Sequence, residues 1–154
     1  MRLVVAVVGK PRDAELKKVI SDYETRAAKY WPLEVFEVKE EKGSAGDSST
    51  VTKREGARLM QKLPQRGRTV ACHLSGRRKT SEEFAAFLQT SRENARDTAF
   101  LIGGAFGLSQ DLLDGADMIL NLAPWTLPHD LARLVLAEQI YRAGTMVRGE
   151  PYHK

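Results

Sequence analysis

The 154 residues carry 24 lysines and arginines against 20 aspartates and glutamates, a formal charge of +4 at pH 7, and 42% of them are apolar. That describes one soluble globular domain, residues 1–154, with a proper core and no room for a second. No apolar run approaches the ~18 residues of a membrane span, and the one cysteine, Cys72, excludes an internal disulfide and a cysteine-rich metal site.

Leu3–Val8 is a continuous β-branched and aliphatic run, the kind a parallel strand needs when both its faces are buried. Arg2 ahead of it gives a faint echo of a secretory leader. The run is too short, and Gly9-Lys10-Pro11-Arg12 is no cleavage site, so the chain reads as cytoplasmic. Asp13 is placed to cap a helix running to about Lys29, with Leu16, Val19, Ile20 and Tyr23 at helical spacing, and Trp31-Pro32 ends it. Leu33–Val38 alternates apolar residues with Glu34 and Glu37 and reads as a strand with one polar side. Residues 39–49 hold nothing apolar larger than alanine and read as a mobile loop. A helix follows over 50–62, then a strand over 69–74.

Ser75-Gly76-Arg77-Arg78-Lys79 reads as a strand-end loop with three adjacent cations, suited to phosphate or simply to water. The basic pI of about 9.3 favours a polyanionic partner in the same weak sense. Thr80 or Ser81 caps the next helix, with Glu82 or Glu83 placed as in a capping box and Phe84, Phe87 and Leu88 as its core stripe. A buried strand over 99–102 enters the turn Gly103-Gly104-Ala105-Phe106-Gly107, and Ser109 caps a short helix. A last strand over 118–122 enters a loop pinned by Pro124 and Pro128, and a long helix begins at His129. Strands alternating with helices predict an α/β fold, a mostly parallel sheet with helices on both faces. On the last helix, Leu131, Leu134 and Val135 fall opposite Leu136 and Ile140. That predicts a helix buried all round and a second copy of the chain as its outer cover, a homodimer.

The two loops at the carboxyl ends of strands 99–102 and 118–122 frame a cleft where α/β proteins place ligands. The glycine turn fits neither the dinucleotide nor the P-loop spacing. Main-chain groups at Gly103 and Gly104 can nonetheless approach a ligand closely, and the rigid 122–127 loop suits an adenine ring. Three histidines without ligand spacing give no metal site. From residues alone the reading stops at a dimeric α/β protein with a strand-end pocket.

The start Leu3–Val8 with Gly9-Lys10, then Leu101-Ile102-Gly103-Gly104 with Gly107-Leu108, Thr126-Leu127-Pro128-His129, Arg133 with Val135, Glu138-Gln139 with Tyr141-Arg142-Ala143, and the terminal Pro151-Tyr152-His153-Lys154 form one pattern. On these residues the whole chain resembles the RlmH (YbeA-like) family of SPOUT-class RNA methyltransferases. The chain departs at Ala71-Cys72-His73, where that family usually carries Thr-Leu followed by an acid.

The resemblance implies a SPOUT-type α/β knot, a C-terminal trefoil, against the usual rule that chains are unknotted. It implies a homodimer that binds S-adenosyl-L-methionine through Cys72, Gly103, Gly104, Leu122, Ala123, Pro124, Trp125, Thr126 and Leu127. The implied reaction is methylation at N3 of a pseudouridine in large-subunit (23S) rRNA on the assembled ribosome, with no membrane and no metal involved. An imide N3–H needs a proton acceptor or a cation that stabilises the ring anion. His153 is the candidate base, Arg142 the candidate cation, Glu138 its orienting partner, and Tyr152 a group to stack on or bond the base. His129 and Arg133 would position the tail or contact phosphate. A tRNA methyltransferase of the same fold and a non-catalytic ribosome-binding or assembly factor are the rival readings.

Overall fold

The computed structural model describes residues 1–153, with side chains through Tyr152. Its centre is β1, Leu3–Val8, buried along its whole length. A strand can be apolar on both faces only when both are covered. β1 pairs in parallel with β2, Leu33–Val38, on one side and with β4, Asp97–Ile102, on the other. β3, Gly67–Arg77, adds outside β4, and β5, Met118–Leu120, outside β3. The order is therefore β2-β1-β4-β3-β5 with every pairing parallel, the α/β architecture the alternation predicted.

Helices cover both faces. α1 (Ala14–Ala28), α3 (Ser81–Glu93) and α5 (His129–Val147) lie over Val5, Val7, Phe100 and Ile102. α2 (Ser48–Met60) and α4 (Gln110–Gly115) lie over Ala6, Val8, Ala71 and Leu101. The two sets alternate along β1 and β4, as a period of two requires. α5 sits in the first layer against α1 and α3, with Leu136 and Ile140 fully buried. Each contributes about 1.5–3 kcal/mol by leaving water.

Local signals act at the predicted places. The Leu16 amide donates to Asp13 Oδ1 at 2.8 Å and opens α1. At α3 the capping box is made by Thr80 and Glu83: the Glu83 amide donates to Thr80 Oγ1 at 3.1 Å, and the Thr80 amide donates to Glu83 Oε2 at 2.8 Å. Trp31 is buried beyond α1, and its Nε1–H donates to the Ile140 carbonyl at 3.0 Å, tying the end of α1 to α5.

Four expectations change. Residues 39–49 are tied down rather than loose. Glu41 pairs with Arg54 and Arg58, its amide donates to Glu55 Oε1 at 3.0 Å, and Ala45–Asp47 forms a 3₁₀ turn into α2. β3 runs past Leu74 to Arg77, absorbing most of the predicted loop, through a register shift between Cys72 and Arg77 against β5. β5 ends two residues early at Asn121, whose amide makes the last bond to β3, at the Arg77 carbonyl. The Asn121 Nδ2 donates to the Leu74 carbonyl at 3.0 Å, and its Oδ1 accepts the Ala123 amide at 3.0 Å, turning the chain out of the sheet. Finally, α5 is not buried all round. Its Leu136–Ile140 side is, whereas Leu131 is exposed and Leu134 and Val135 are half-covered, because α1 and α3 reach only the inner flanks of the helix.

Candidate active site

Three strand ends converge on one open pocket of about 240 Å³. Cys72–Leu74 of β3 forms one wall, the turn after β4 the second, and the loop after β5 the third. The turn is closed by a hydrogen bond from the Gly107 amide to the Gly104 carbonyl at 3.0 Å, with Gly107 at φ +75°. A side chain at Gly103 would run into the backbone of Gly107 and Leu108, so the tight reversal requires glycine there. At Gly104 a Cβ would lie 3.0 Å from Val8 Cγ1 and 3.1 Å from Glu55 Oε2. The turn is thus seated on β1 and α2, and its main-chain groups are held at the pocket wall.

Of the nine residues predicted to hold a cofactor, eight line this pocket: Cys72, Gly103, Gly104, Leu122, Ala123, Trp125, Thr126 and Leu127. Pro124 is exposed and contributes none of the lining. Trp125 stands at the rim, 76% exposed. Dense surroundings push the Cys72 thiol up to about 12, so it stays protonated and acts as an apolar wall. Asn121, His73 and Ala132 also line the pocket and were missed. Asn121 had a readable signal, a turn-forming residue at the end of an apolar run.

The residues predicted to do chemistry fall in two places. His129 opens α5 and lines the pocket. Its Nε2 is enclosed, lies 3.3 Å from Asp130 Oδ1, and makes no hydrogen bond. Glu138 and Arg142, further along α5, form a separate cluster with Tyr152 of the 3₁₀ turn Pro151–His153. Arg142 donates to Glu138 Oε1 from Nε at 2.9 Å and from an Nη at 2.6 Å, and Tyr152 OH donates to the same oxygen at 3.1 Å. The other oxygen, Glu138 Oε2, accepts from Gln139 at 2.7 Å, and Gln139 accepts from Ser81 Oγ at 2.8 Å. The Arg142 guanidinium lies 4.9 Å from the centre of the Tyr152 ring, and the Tyr141 ring packs against Tyr152 at 4.6 Å.

Electrostatics keep the cluster in one state. Glu138 bonding holds Arg142 more firmly protonated. Burial first, then hydrogen bonding to Tyr23 and the Glu138 charge, raises the Tyr152 hydroxyl, so it remains a donor. The His153 side chain lies outside the described residues. From His129 the cluster is nine to thirteen positions along α5, about 14–20 Å at 1.5 Å per residue. Within a single chain Glu138 and Arg142 therefore do not reach the pocket that His129 lines.

Arg133 corrects its expectation. It is 6% exposed and donates to Glu24 at 2.7 and 3.1 Å and to Glu37 at 2.8 Å. It binds α5 to α1 and β2 and is not available to a phosphate. Among the described residues no group of acids, histidines and cysteines is arranged to hold a metal ion, and no helix is long and apolar enough to cross a membrane.

The family model described as predicted SPOUT methyltransferase matches residues 1–153. The chain is 53% identical to the ribosomal RNA large subunit methyltransferase H of Gemmatimonas aurantiaca over 154 residues, covering 100% of both chains. It is 43% identical to the protein of that name from an Anaeromyxobacter species, again with 100% of both covered, and 38% identical to that of Syntrophotalea carbinolica with 99% of each covered. Among solved structures, a probable methylase family protein from Haemophilus influenzae Rd KW20 superposes with a TM-score of 0.56 at 10% identity, covering 99% of this chain and 70% of that one. TrmJ from Z. mobilis ZM4 superposes at 0.51 and 16% identity, covering 93% and 70%. These two carry the fold alone.

Proposed function

The chain belongs to the SPOUT methyltransferase family, and we propose that it transfers a methyl group from S-adenosyl-L-methionine to N3 of a pseudouridine in large-subunit (23S) rRNA on the assembled ribosome. The observation that supports this most is the convergence of three strand-end segments on one pocket. It joins a glycine turn with no room for side chains, a mostly apolar loop and the side chain of His129. Those features suit the donor. Leu122 and Leu127 offer apolar walls to an adenine ring, and main-chain groups of the turn and loop can read its polar edges. When bound, S-adenosyl-L-methionine supplies a sulfonium methyl already activated for in-line displacement.

The chain's own work is to position the base and manage the N3 proton. Glu138 holds the Arg142 guanidinium over the Tyr152 ring. That fixed cation stabilises the negative charge that develops on the ring oxygens as N3–H is lost. Tyr152, its one O–H donated to Glu138, offers its ring as a face on which the base can stack. His153 is the proton acceptor in this reading.

The pocket is smaller than the ~300–1,000 Å³ usual for ligand sites, and the charged cluster lies far along α5 from it. Both support a homodimer in which the tail of one protomer completes the pocket of the other. The half-covered side of α5, with Leu131, Leu134 and Val135, is its natural contact. The trefoil knot belongs to the same reading. A chain leaving β5 at the sheet edge and returning over the sheet as α5 between α1 and α3 supports it.

The test is transfer of a labelled methyl group to ribosomes lacking the modification, with deproteinised rRNA and bulk tRNA in parallel. Label in large-subunit rRNA only when ribosomes are intact is the expected result. Label in tRNA would replace the substrate. No label despite donor binding would turn the reading to a binding factor. Mixing a pocket variant with a tail-deleted variant should restore about a quarter of the wild-type rate if the tail acts across a two-fold axis.

A further inference from the structure

A second concavity, about 630 Å³, opens along the outer edge of the sheet beside β5. Its walls carry Arg68, Arg77, Lys79 and Arg96, and Asp117 is the one acidic residue among its lining. Asp117 is engaged: its Oδ2 accepts the Thr69 amide at 2.8 Å and its Oδ1 lies 3.6 Å from Arg96. Arg68 and Lys79 are arranged around the Phe87 ring, at 5.0 and 5.9 Å from its centre. The ring face attracts both charged heads and gathers them at the groove wall. A chain with an excess of only four positive charges has gathered four cations around one engaged carboxylate.

The groove adjoins the pocket through the backbone. Leu74 lines the pocket and Ser75 lines the groove, while Met118 and Ile119 of the groove lead within two residues to Asn121 of the pocket. The extension of β3 to Arg77 makes this connection rigid, since the Arg77 carbonyl accepts the Asn121 amide at 3.0 Å.

We propose that this edge groove is a phosphate-tracking site for the RNA strand flanking the target nucleotide. Arg68, Arg77 and Lys79 contact the phosphodiester backbone while the pocket mouth receives the base. The proposal rests on the methyltransferase reading above and gives it a docking surface. Guanidinium forks match phosphate oxygens, and such contacts fix register without reading sequence. That suits an enzyme whose selectivity comes from one nucleotide in a folded surface.

The experiment compares wild type, the groove variant R68Q/R77Q/K79Q and a control, K17Q/K18Q/K53Q, which removes three exposed lysines elsewhere. Ribosome binding is measured by co-sedimentation across about 50–200 mM salt, and donor binding by calorimetry. For the groove variant the expected result is binding weaker by at least about tenfold and a log–log salt slope shallower by about 2–3, from 0.7–0.9 per lost contact. Donor affinity should be unchanged, and the control should bind like wild type. Equal ribosome binding by the groove variant and wild type overturns the proposal. So does an equal loss in the control, which would make the effect one of bulk charge. Self-association of the groove variant with ribosome binding intact would also overturn it, leaving the cations as guards of an open sheet edge. Binding is read independently of methyl transfer. A wild type that binds ribosomes through the groove but transfers no label would refute the reaction and not the groove.

Discussion

Arg133 holds the beginning of α5, and its removal should be felt far from any ligand. The side chain is 7% exposed, and its partners Glu24 and Glu37 are 16% and 26% exposed. Arg133→Met keeps the length of the stem and deletes the guanidinium, stranding Glu24, which takes two of its hydrogen bonds, and Glu37, which takes one. Deleting one partner of a buried ion pair costs about 3–5 kcal/mol. Because both carboxylates retain some water, the lower end applies, about 3 kcal/mol. For a domain of this size, each kcal/mol moves Tm by roughly 2–4 °C, so the shift should be about 6–12 °C downward. Urea and thermal unfolding of the single variant and of R133M/E24Q/E37Q decide the cause. Neutralising the stranded acids should recover most of the loss, since the penalty comes from leaving a buried charge unpaired. A Tm change under about 2 °C in the single variant, or a triple variant no more stable than the single, would refute the argument that stranded charge dominates.

Glu55 should give stability a pH slope. It is 3% exposed, its Oε2 has no hydrogen-bond partner, and burial pushes its carboxyl up, with Glu40 adding in the same direction against the Glu41 amide and Arg58. The folded state holds the proton where the unfolded chain has lost it, so the contribution is present below the ordinary carboxyl range and is lost as pH rises through the raised value. Unfolding free energies of Glu55→Gln measured against pH should lack that decline. Gly103→Ala drives a Cβ into the backbone of Gly107 and Leu108, and calorimetry should show donor affinity down at least about tenfold; unchanged affinity would sink the role given to the turn. Cys72, its thiol pushed up to about 12, should react with a maleimide at pH 8 at least about a hundredfold more slowly in the folded protein than in urea.

What the sequence made legible is what local patterning controls. The run Leu3–Val8 announces a central parallel strand, Asp13 and Thr80 announce helix starts, and His129 opens α5 where Pro128 placed it. The pocket was legible because strand ends in an α/β sheet face one way. Hidden were features that depend on partners distant in sequence. Arg133 reads as a surface cation until α1 and β2 bring Glu24 and Glu37 to it. The segment 39–49 reads as loose by composition, yet Arg54 and Arg58 hold Glu41 from the next helix. Strand 118–122 reads as five residues because Leu122 resumes the apolar run past Asn121, and the Leu74 carbonyl that holds the Asn121 side chain lies far off in sequence. The separation of His129 from Glu138 and Arg142 could be counted from the start, but its meaning required knowing where the pocket lies.

That separation makes α5 a measuring rod. One end is set by a pocket residue and the other by a charged cluster, with buried Arg133, Leu136 and Ile140 fixing it between. A residue added between Arg133 and Glu138 would lengthen the rod by only about 1.5 Å but turn its far end by about 100°. The interval is therefore under a constraint of phase more than of distance. Substitutions within it can be absorbed side chain by side chain, whereas a change in its count cannot. In a chain this short, the number of residues between two features is itself part of the site.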